Sequence, residues 1–166
     1  MYRNIKEFTS DWRQEAEMSV KIFNALTDDS LTVKVNPNVR TLGRLAWHIT
    51  QTLTELPSKA GLLETDELEG KPIPAHVKEI VSTYKTYAER IVEEVSQKWT
   101  DADLEQRVNI YGEEWRKGTI LSVLLQHQIH HRAQMTTIMR LAGLVVPGIY
   151  GPAKEEWAAW GMPPHE

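Results

Sequence analysis

Four long segments of the sequence have the three- and four-residue apolar spacing of amphipathic helices, and residues that break helices separate them. This spacing predicts helices at about 4–27, 41–56, 75–98 and 118–142. The stretch at 57–74 is polar and contains several prolines and glycines, so we expect a long loop there. Four amphipathic helices without a convincing sheet predict an all-α fold, a four-helix bundle.

The boundaries of the second helix follow from its terminal residues. Thr41 is the expected N-cap, and the helix is expected to end near Leu56 because Pro57 follows. Upstream, the stretch "LTVKV" at 31–35 alternates like a short strand. The Asn36-Pro37-Asn38 turn after it makes an extended connector an equal alternative.

The remaining segments are short. We expect loop with some extended chain at 99–119, and a short C-terminal helix at about 152–160. No internal repeat, low-complexity tract or linker divides the sequence. We therefore expect residues 1–166 to form a single domain, which is an ordinary length for one hydrophobic core.

Composition excludes several classes of function. The formal charge is −4 with acids and bases interspersed, so no basic surface for nucleic acid is expected. The chain has no cysteine, which excludes disulfides, thiolate metal sites and a cysteine nucleophile. No apolar run approaches the roughly 18 residues of a membrane span, and the N-terminus lacks a signal-peptide pattern. We therefore expect a cytoplasmic protein without nucleic-acid or membrane partners.

Three of the six histidines fall within the stretch "LLQHQIHHRAQM" on the fourth predicted helix. His127 and His131 are one turn apart on the same face, so both imidazoles can reach one metal ion. They lie in an apolar stripe, where an imidazole has to be hydrogen-bonded or metal-bound to offset its desolvation. His130 lies at the margin of that stripe. The alternative is a pair of core histidines that are satisfied by hydrogen bonds alone.

The other histidines are separated from this pair along the chain. His48 lies at the margin of the apolar stripe of the second helix, where a partly exposed boundary histidine is as reasonable as a ligand. His76 is expected to be solvated or to cap the third helix, and His165 lies in the tail.

The stretches "LAWHIT" and "LLQHQIHHRAQ" resemble the histidine motifs of the DinB/YfiT-like family of bacterial metalloenzymes, and "VPGIYGPAKEEWAAWG" is similar to C-terminal segments of its DinB branch. The resemblance implies a bundle of up-down-down-up topology that is often dimeric. It also implies a divalent ion held by three histidines. Carried over by motif, these ligands are His48, His127 and His131, whereas His130 receives no role.

The resemblance further implies an enzyme similar to thiol S-transferases, with a small-molecule substrate and a low-molecular-weight thiol. Three neutral imidazoles leave coordination positions open, as in catalytic sites. Zinc or nickel is expected, with iron and manganese as alternatives. Gln51, Glu55 and Gln134 are possible supporting or substrate-binding groups, or simply polar residues on helix surfaces. Two other functions stay open: a metal-dependent hydrolase with Glu55 as its base, and a non-catalytic, stress-induced binding protein.

A second apolar stripe on the fourth helix predicts a second packed surface. Its members are Leu121, Leu125, Ile129 and Met139. We expect this stripe to form a homodimer interface or to lie beneath the C-terminal segment, where Trp157 and Trp160 would cover it.

Overall fold

The computed structural model describes residues 1–163, so His165 lies outside the described residues. The long helices of this part of the chain are α1 (Ile5–Asn24), α2 (Leu42–Lys59), α3 (Val77–Lys98) and α4 (Lys117–Leu141). Shorter elements lie between and after them. They are the 3₁₀ helices Asp29–Thr32, Asp101–Glu105 and Lys154–Trp160, and the strands β1 (Arg107–Ile110) and β2 (Glu113–Arg116).

Side chains that satisfy the free N–H groups of the first turn begin two of the helices. Asn4 Oδ1 accepts a hydrogen bond from the Glu7 amide (3.1 Å) at the start of α1. Thr41 Oγ1 accepts one from the Arg44 amide (3.1 Å) at the start of α2, as predicted. Both caps therefore specify where the backbone turns from extended to helical.

The predicted end of α2 at Leu56 is wrong, because the helix continues through Pro57 to Lys59. Proline lacks an N–H donor and its ring crowds the carbonyl four residues earlier, but it leaves the later carbonyls free to accept hydrogen bonds. The carbonyl groups on either side of that position are still used: Leu56 O accepts from the Ala60 amide (3.0 Å), and Pro57 O accepts from the Leu62 amide (2.9 Å). Continued pairing of these carbonyls carries α2 one turn further.

The helices form a four-helix bundle of up-down-down-up topology, as expected. Helix α1 packs against α3 and α4, and α2 packs against the same two helices, so α1 and α2 are diagonally opposite. Helix α1 runs antiparallel to α3, since Ile5 N–H donates to Asp101 Oδ1 (2.9 Å), beyond the C-terminal end of α3. It runs parallel to α4, since Tyr2 N–H donates to Gly118 O (3.0 Å).

The sequence left the structure of two connecting stretches open, one before α2 and one between α3 and α4. Residues 33–40 form no strand, so the strand prediction is wrong, and the chain before α2 is also less extended than the alternative expected: Leu31 and Thr32 belong to the 3₁₀ helix Asp29–Thr32, and bends and a turn follow at 35–39. Strands β1 and β2 pair antiparallel around Tyr111 and Gly112, whose φ angles of 53° and 87° are those of a tight two-residue hairpin turn. Glycine adopts such an angle without strain, which explains its place in this turn.

One hydrophobic core runs between the four helices and contains large side chains that are fully buried, among them Trp12, Phe23 and Tyr84. Leu121 and Met139 of the second α4 stripe are 2% and 0% exposed, so this chain alone buries them. Trp160 is 68% exposed and does not cover the stripe. Among the described residues, no helix combines the length and the apolarity that crossing a membrane requires.

Candidate metal centre

Two helices bring three histidines together at one end of the bundle. His48 lies on α2, and His127 and His131 lie one turn apart on the antiparallel helix α4. His127 Nε2 is 3.1 Å from His48 Nε2 and 3.1 Å from His131 Nε2. One ligand atom from each ring lies within 4.8 Å of the other two. The three residues that the motif resemblance named are therefore neighbours in space, although 79 positions separate His48 from His127.

These separations fit a shared ion. Zinc–nitrogen bonds of about 2.0–2.1 Å, at angles between octahedral and tetrahedral, place neighbouring nitrogens about 2.9–3.4 Å apart. The two 3.1 Å distances lie in that interval. The donor set is also suitable, because imidazole nitrogen binds zinc, nickel and iron well.

The protonation of the rings is suited to binding a cation. Burial, followed by the charges of His127 and His131, lowers the pKa of His48 to about 4. Burial, followed by the charge of His131, lowers the pKa of His127 to about 4. Burial also lowers the pKa of His131, which is 9% exposed. All three rings are therefore neutral at neutral pH, and the neutral imidazole is the form that binds a metal.

Gln134 specifies which nitrogen of His131 is free. Gln134 Oε1 lies 2.8 Å from His131 Nδ1 and can only accept, so Nδ1 carries the proton. The Nε2 lone pair of His131 is then directed towards His127. Gln134 Nε2 donates in turn to His130 Nε2 (3.0 Å). The contact between Gln134 Oε1 and His131 Nδ1 is of the kind by which carboxylates and carbonyls commonly orient metal-binding histidines.

His127 and His130 differ from His131 in their partners. His127 Nδ1 is buried, and within residues 1–163 it has no hydrogen-bond partner. His130 is exposed and does not belong to the three-residue cluster that the described residues form. Among the described residues His76 does not belong to the cluster: it pairs with Asp28 (2.8 Å) at the start of α3, which raises its pKa.

The other two polar residues considered from the sequence have different partners. Gln51 accepts a hydrogen bond from Arg44 (3.0 Å) and donates to Leu68 O (3.1 Å), which anchors the loop after α2. Glu55 accepts a hydrogen bond from Tyr111 OH (2.5 Å) at the tip of the hairpin. Neither residue belongs to the cluster of possible ligands among the described residues.

A second polar cluster on α4 was not predicted from the sequence. Arg132 is 2% exposed and contacts the Glu15 carboxylate, Ser19 Oγ (3.0 Å) and Tyr150 OH (2.6 Å). Tyr150 also donates to Glu15 Oε1 (2.8 Å). We call Glu15, Ser19, Tyr84, Gln128, Arg132 and Tyr150 the arginine network. The packing of α1 against α4 encloses Arg132.

A cavity of about 790 Å³ opens beside His131. Residues of the 35–40 loop form one side, and Gln134, Ile138 and Leu141 of α4 form the other. This volume is typical of sites for small organic molecules. His131 is the member of the cluster that lines this cavity.

The sequence model of the DinB family matches residues 1–163. The chain belongs to the DinB family. YrdA of Bacillus subtilis strain 168, itself uncharacterized, is 40% identical over 162 residues, which cover 98% of this chain and 97% of YrdA. The family assignment therefore agrees with the one that the histidine motifs suggested.

Two solved structures support the DinB fold. A DinB-like protein from Bacillus cereus ATCC 10987 superposes with a TM-score of 0.81 at 38% identity, over 90% of this chain and all of that one. The DinB-like protein YjoA from B. subtilis superposes with a TM-score of 0.70 at 15% identity, over 89% of this chain and 99% of that one. At this lower identity YjoA supports the fold alone.

Proposed function

We propose that this DinB-family protein is a metal-dependent enzyme in which His48, His127 and His131 hold one divalent ion. The observation that carries the proposal is the convergence of three imidazole Nε2 atoms, two pairs of which are 3.1 Å apart. Three neutral nitrogens form an incomplete coordination shell. Such a shell is typical of catalytic sites, where an external ligand completes it.

We further propose that a low-molecular-weight thiol is the cosubstrate and that the reaction transfers it to an electrophile. A bound divalent ion would favour the thiolate form of that thiol. In an addition, the sulfur forms a bond to an electrophilic carbon and the thiol proton passes to the neighbouring carbon, so no oxidant is needed. The sulfur has to come from the cosubstrate, because the chain has no cysteine.

The residues of the chain have separate parts in this proposal. The three histidines stay unprotonated at neutral pH because burial lowers the pKa of each ring. Gln134 keeps the Nε2 lone pair of His131 directed towards the other rings. The cavity beside His131 has room for the organic part of a substrate.

Hydrolysis receives less support. Metal-dependent hydrolysis ordinarily needs a general base within hydrogen-bonding reach of the attacking water. Glu55 was the one base considered from the sequence, and Tyr111 OH already donates to it (2.5 Å). Among residues 1–163, the cluster of possible metal ligands contains no carboxylate.

Metal analysis tests the proposal first. Purified protein, reconstituted with zinc or nickel and freed of excess ion, should contain about one ion per chain. His48→Ala, His127→Ala and His131→Ala should each lose it, and His130→Ala is the matched control because it removes a neighbouring imidazole outside the cluster. Substoichiometric metal in the reconstituted wild type would contradict both enzymatic functions.

Activity assays then separate the two reactions. The metal-loaded protein should add a small thiol across the activated double bond of an enone, and the histidine variants should not. Ester cleavage that needs no thiol, in the absence of conjugation, would instead favour the hydrolase. Neither reaction in a fully loaded protein would favour the non-catalytic binding protein.

A further inference from the structure

The loop that precedes α2 places one arginine at the cavity beside His131. Arg40 lines this cavity together with Asn36 and Asn38 of the same loop. Arg40 is exposed, and within the described residues 1–163 its guanidinium has no hydrogen bond, ion pair or aromatic contact. Most other arginines near the ends of this bundle are paired, as Arg44 is with Gln51 (3.0 Å). Arg40 therefore keeps its charge available for a ligand.

Arg40 and His131 line the same cavity, so the guanidinium and the three-histidine cluster border one space. A divalent ion at the cluster and the guanidinium would together make this end of the cavity strongly positive.

The remaining walls of the cavity carry no opposing charge. Asp and Glu outnumber Lys and Arg by 23 to 19 in the chain, yet no acidic residue lines the cavity within residues 1–163. The rest of the lining is apolar or uncharged. Its apolar members are Val35, Val39, Leu45, Ile138 and Leu141. Such walls suit a carbon chain, and the arginine suits a planar carboxylate, which it can bind through two parallel hydrogen bonds.

We propose that this cavity binds an amphipathic organic carboxylate, with its carboxylate on Arg40, its carbon chain on the apolar wall and its other end at the three histidines. This inference rests on the proposed function, since it names the chemical class of the ligand that reaches the ion. Arg40 is a specificity-determining residue in this account and takes no part in holding the ion.

Two pairs of probes test the charge requirement. Mercaptopropionate and mercaptohexanoate carry a thiol at one end and a carboxylate at the other, and mercaptopropanol and mercaptohexanol are their neutral counterparts. Cobalt(II)-loaded protein is titrated with each, because thiolate binding to cobalt is visible as a charge-transfer absorption. Of the two acids, wild type should bind the one whose length fits the cavity better about 3- to 10-fold more tightly than the alcohol of the same length. This is the range for a partly exposed, charge-assisted hydrogen bond.

Arg40→Gln should abolish that preference and leave the affinity for the alcohols unchanged. Arg13→Gln is the matched control, because Arg13 is exposed on α1 and lines a different cavity; it should behave as wild type. Metal content and thermal unfolding, measured first, should be the same in all three proteins.

The outcomes separate this inference from the proposed function. A wild type that does not take up metal contradicts both. Full metal content with equal affinities for acid and alcohol, or a preference that survives in Arg40→Gln, overturns the carboxylate assignment alone. Failure of all four thiols to bind the loaded protein also overturns it, since the cavity would then not admit the ligand class named.

Discussion

Helix α4 carries two polar clusters at neighbouring positions, and they differ in how their donors and acceptors are matched. His127 and His131 face His48 of α2, whereas Gln128 and Arg132, one position further along the chain, face α1. One position along a helix is a rotation of about 100°, so the two pairs point to different neighbours.

In the arginine network nearly every donor has an acceptor. Arg132 Nη1 donates to Glu15 O (2.9 Å), and Ser19 Oγ and Tyr84 OH both donate to Gln128 Oε1 (3.1 and 2.5 Å). Gln128 Nε2 is the exception among the described residues. In the histidine cluster, nitrogen faces nitrogen, and the lone pairs have no comparable set of protein donors. The first arrangement stabilises the fold, and the second is suited to a cation.

Of the substitutions considered, removal of Arg132 should lower the free energy of unfolding most. Arg132→Met takes the charge from a nearly buried network and leaves the Glu15 carboxylate without its partner, which typically costs about 3–5 kcal/mol. Urea denaturation of the metal-free protein measures this free energy of unfolding. Arg140→Met is the control, because Arg140 pairs with Glu155 at the surface and should cost at most about 1 kcal/mol. Equal losses in the two variants would contradict the structural role of the network.

Removal of a cluster histidine should affect metal binding rather than folding. We expect His127→Ala to weaken the affinity for zinc at least about 100-fold, more than the loss of a residue that only supports a ligand. Its metal-free stability should change little, since the neutral ring has a buried Nδ1 without a partner among the described residues. Competition with a chromophoric chelator measures the affinity. His130→Ala should stay within about 3-fold of wild type, and a comparable loss there would refute the division between the two histidines.

Removal of the Gln134 side chain should have an intermediate effect on the affinity for zinc. Gln134→Ala removes the acceptor that keeps the proton on His131 Nδ1, and we expect zinc affinity to fall about 10-fold. Gln134→Glu retains an acceptor at the same distance along the side chain and should restore most of it. Competition with the chelator measures the zinc affinity of both variants. Gln126→Ala is the control, because Gln126 is an exposed glutamine on the same helix. If the glutamate variant is as weak as the alanine variant, the hydrogen bond does not orient His131.

The histidine cluster should also make the metal-free protein less stable in acid. His48 and His127 have a pKa of about 4 in the folded chain, below the ordinary value of 6.5. The unfolded chain therefore binds more protons between these values, and stability falls as the pH is lowered from 6.5 towards 4. Urea denaturation at pH 7.0 and about pH 5 measures the change. The His48→Ala/His127→Ala double variant should lose less stability, and an unchanged pH dependence would contradict the lowered pKa values.

Local patterns in the sequence predicted the bundle and the two site histidines that lie on α4. Periodicity is a property of each helix, so it located α4 and placed His127 and His131 on the same face. His48 could not be chosen in this way, and its assignment came from the family resemblance. The centre of an apolar stripe faces the core, and its margin faces the neighbouring helices. The margin position of His48 is thus compatible with its 3.1 Å approach to His127.

The features that the sequence did not predict depend on tertiary packing. The burial of Arg132 requires α1 and the C-terminal segment to close over it, and no local pattern encodes that contact. The position of Arg40 depends on the path of an irregular loop. The continuation of α2 past Pro57 depends on carbonyl groups that find partners beyond the helix.

Anomalous diffraction from crystals of the zinc-loaded protein tests the central claim most directly. The account predicts one strong peak per chain, about 2.0–2.1 Å from the Nε2 atoms of His48, His127 and His131. A fully loaded protein whose peak lies elsewhere, or whose ion is bound by the α4 pair without His48, would contradict it.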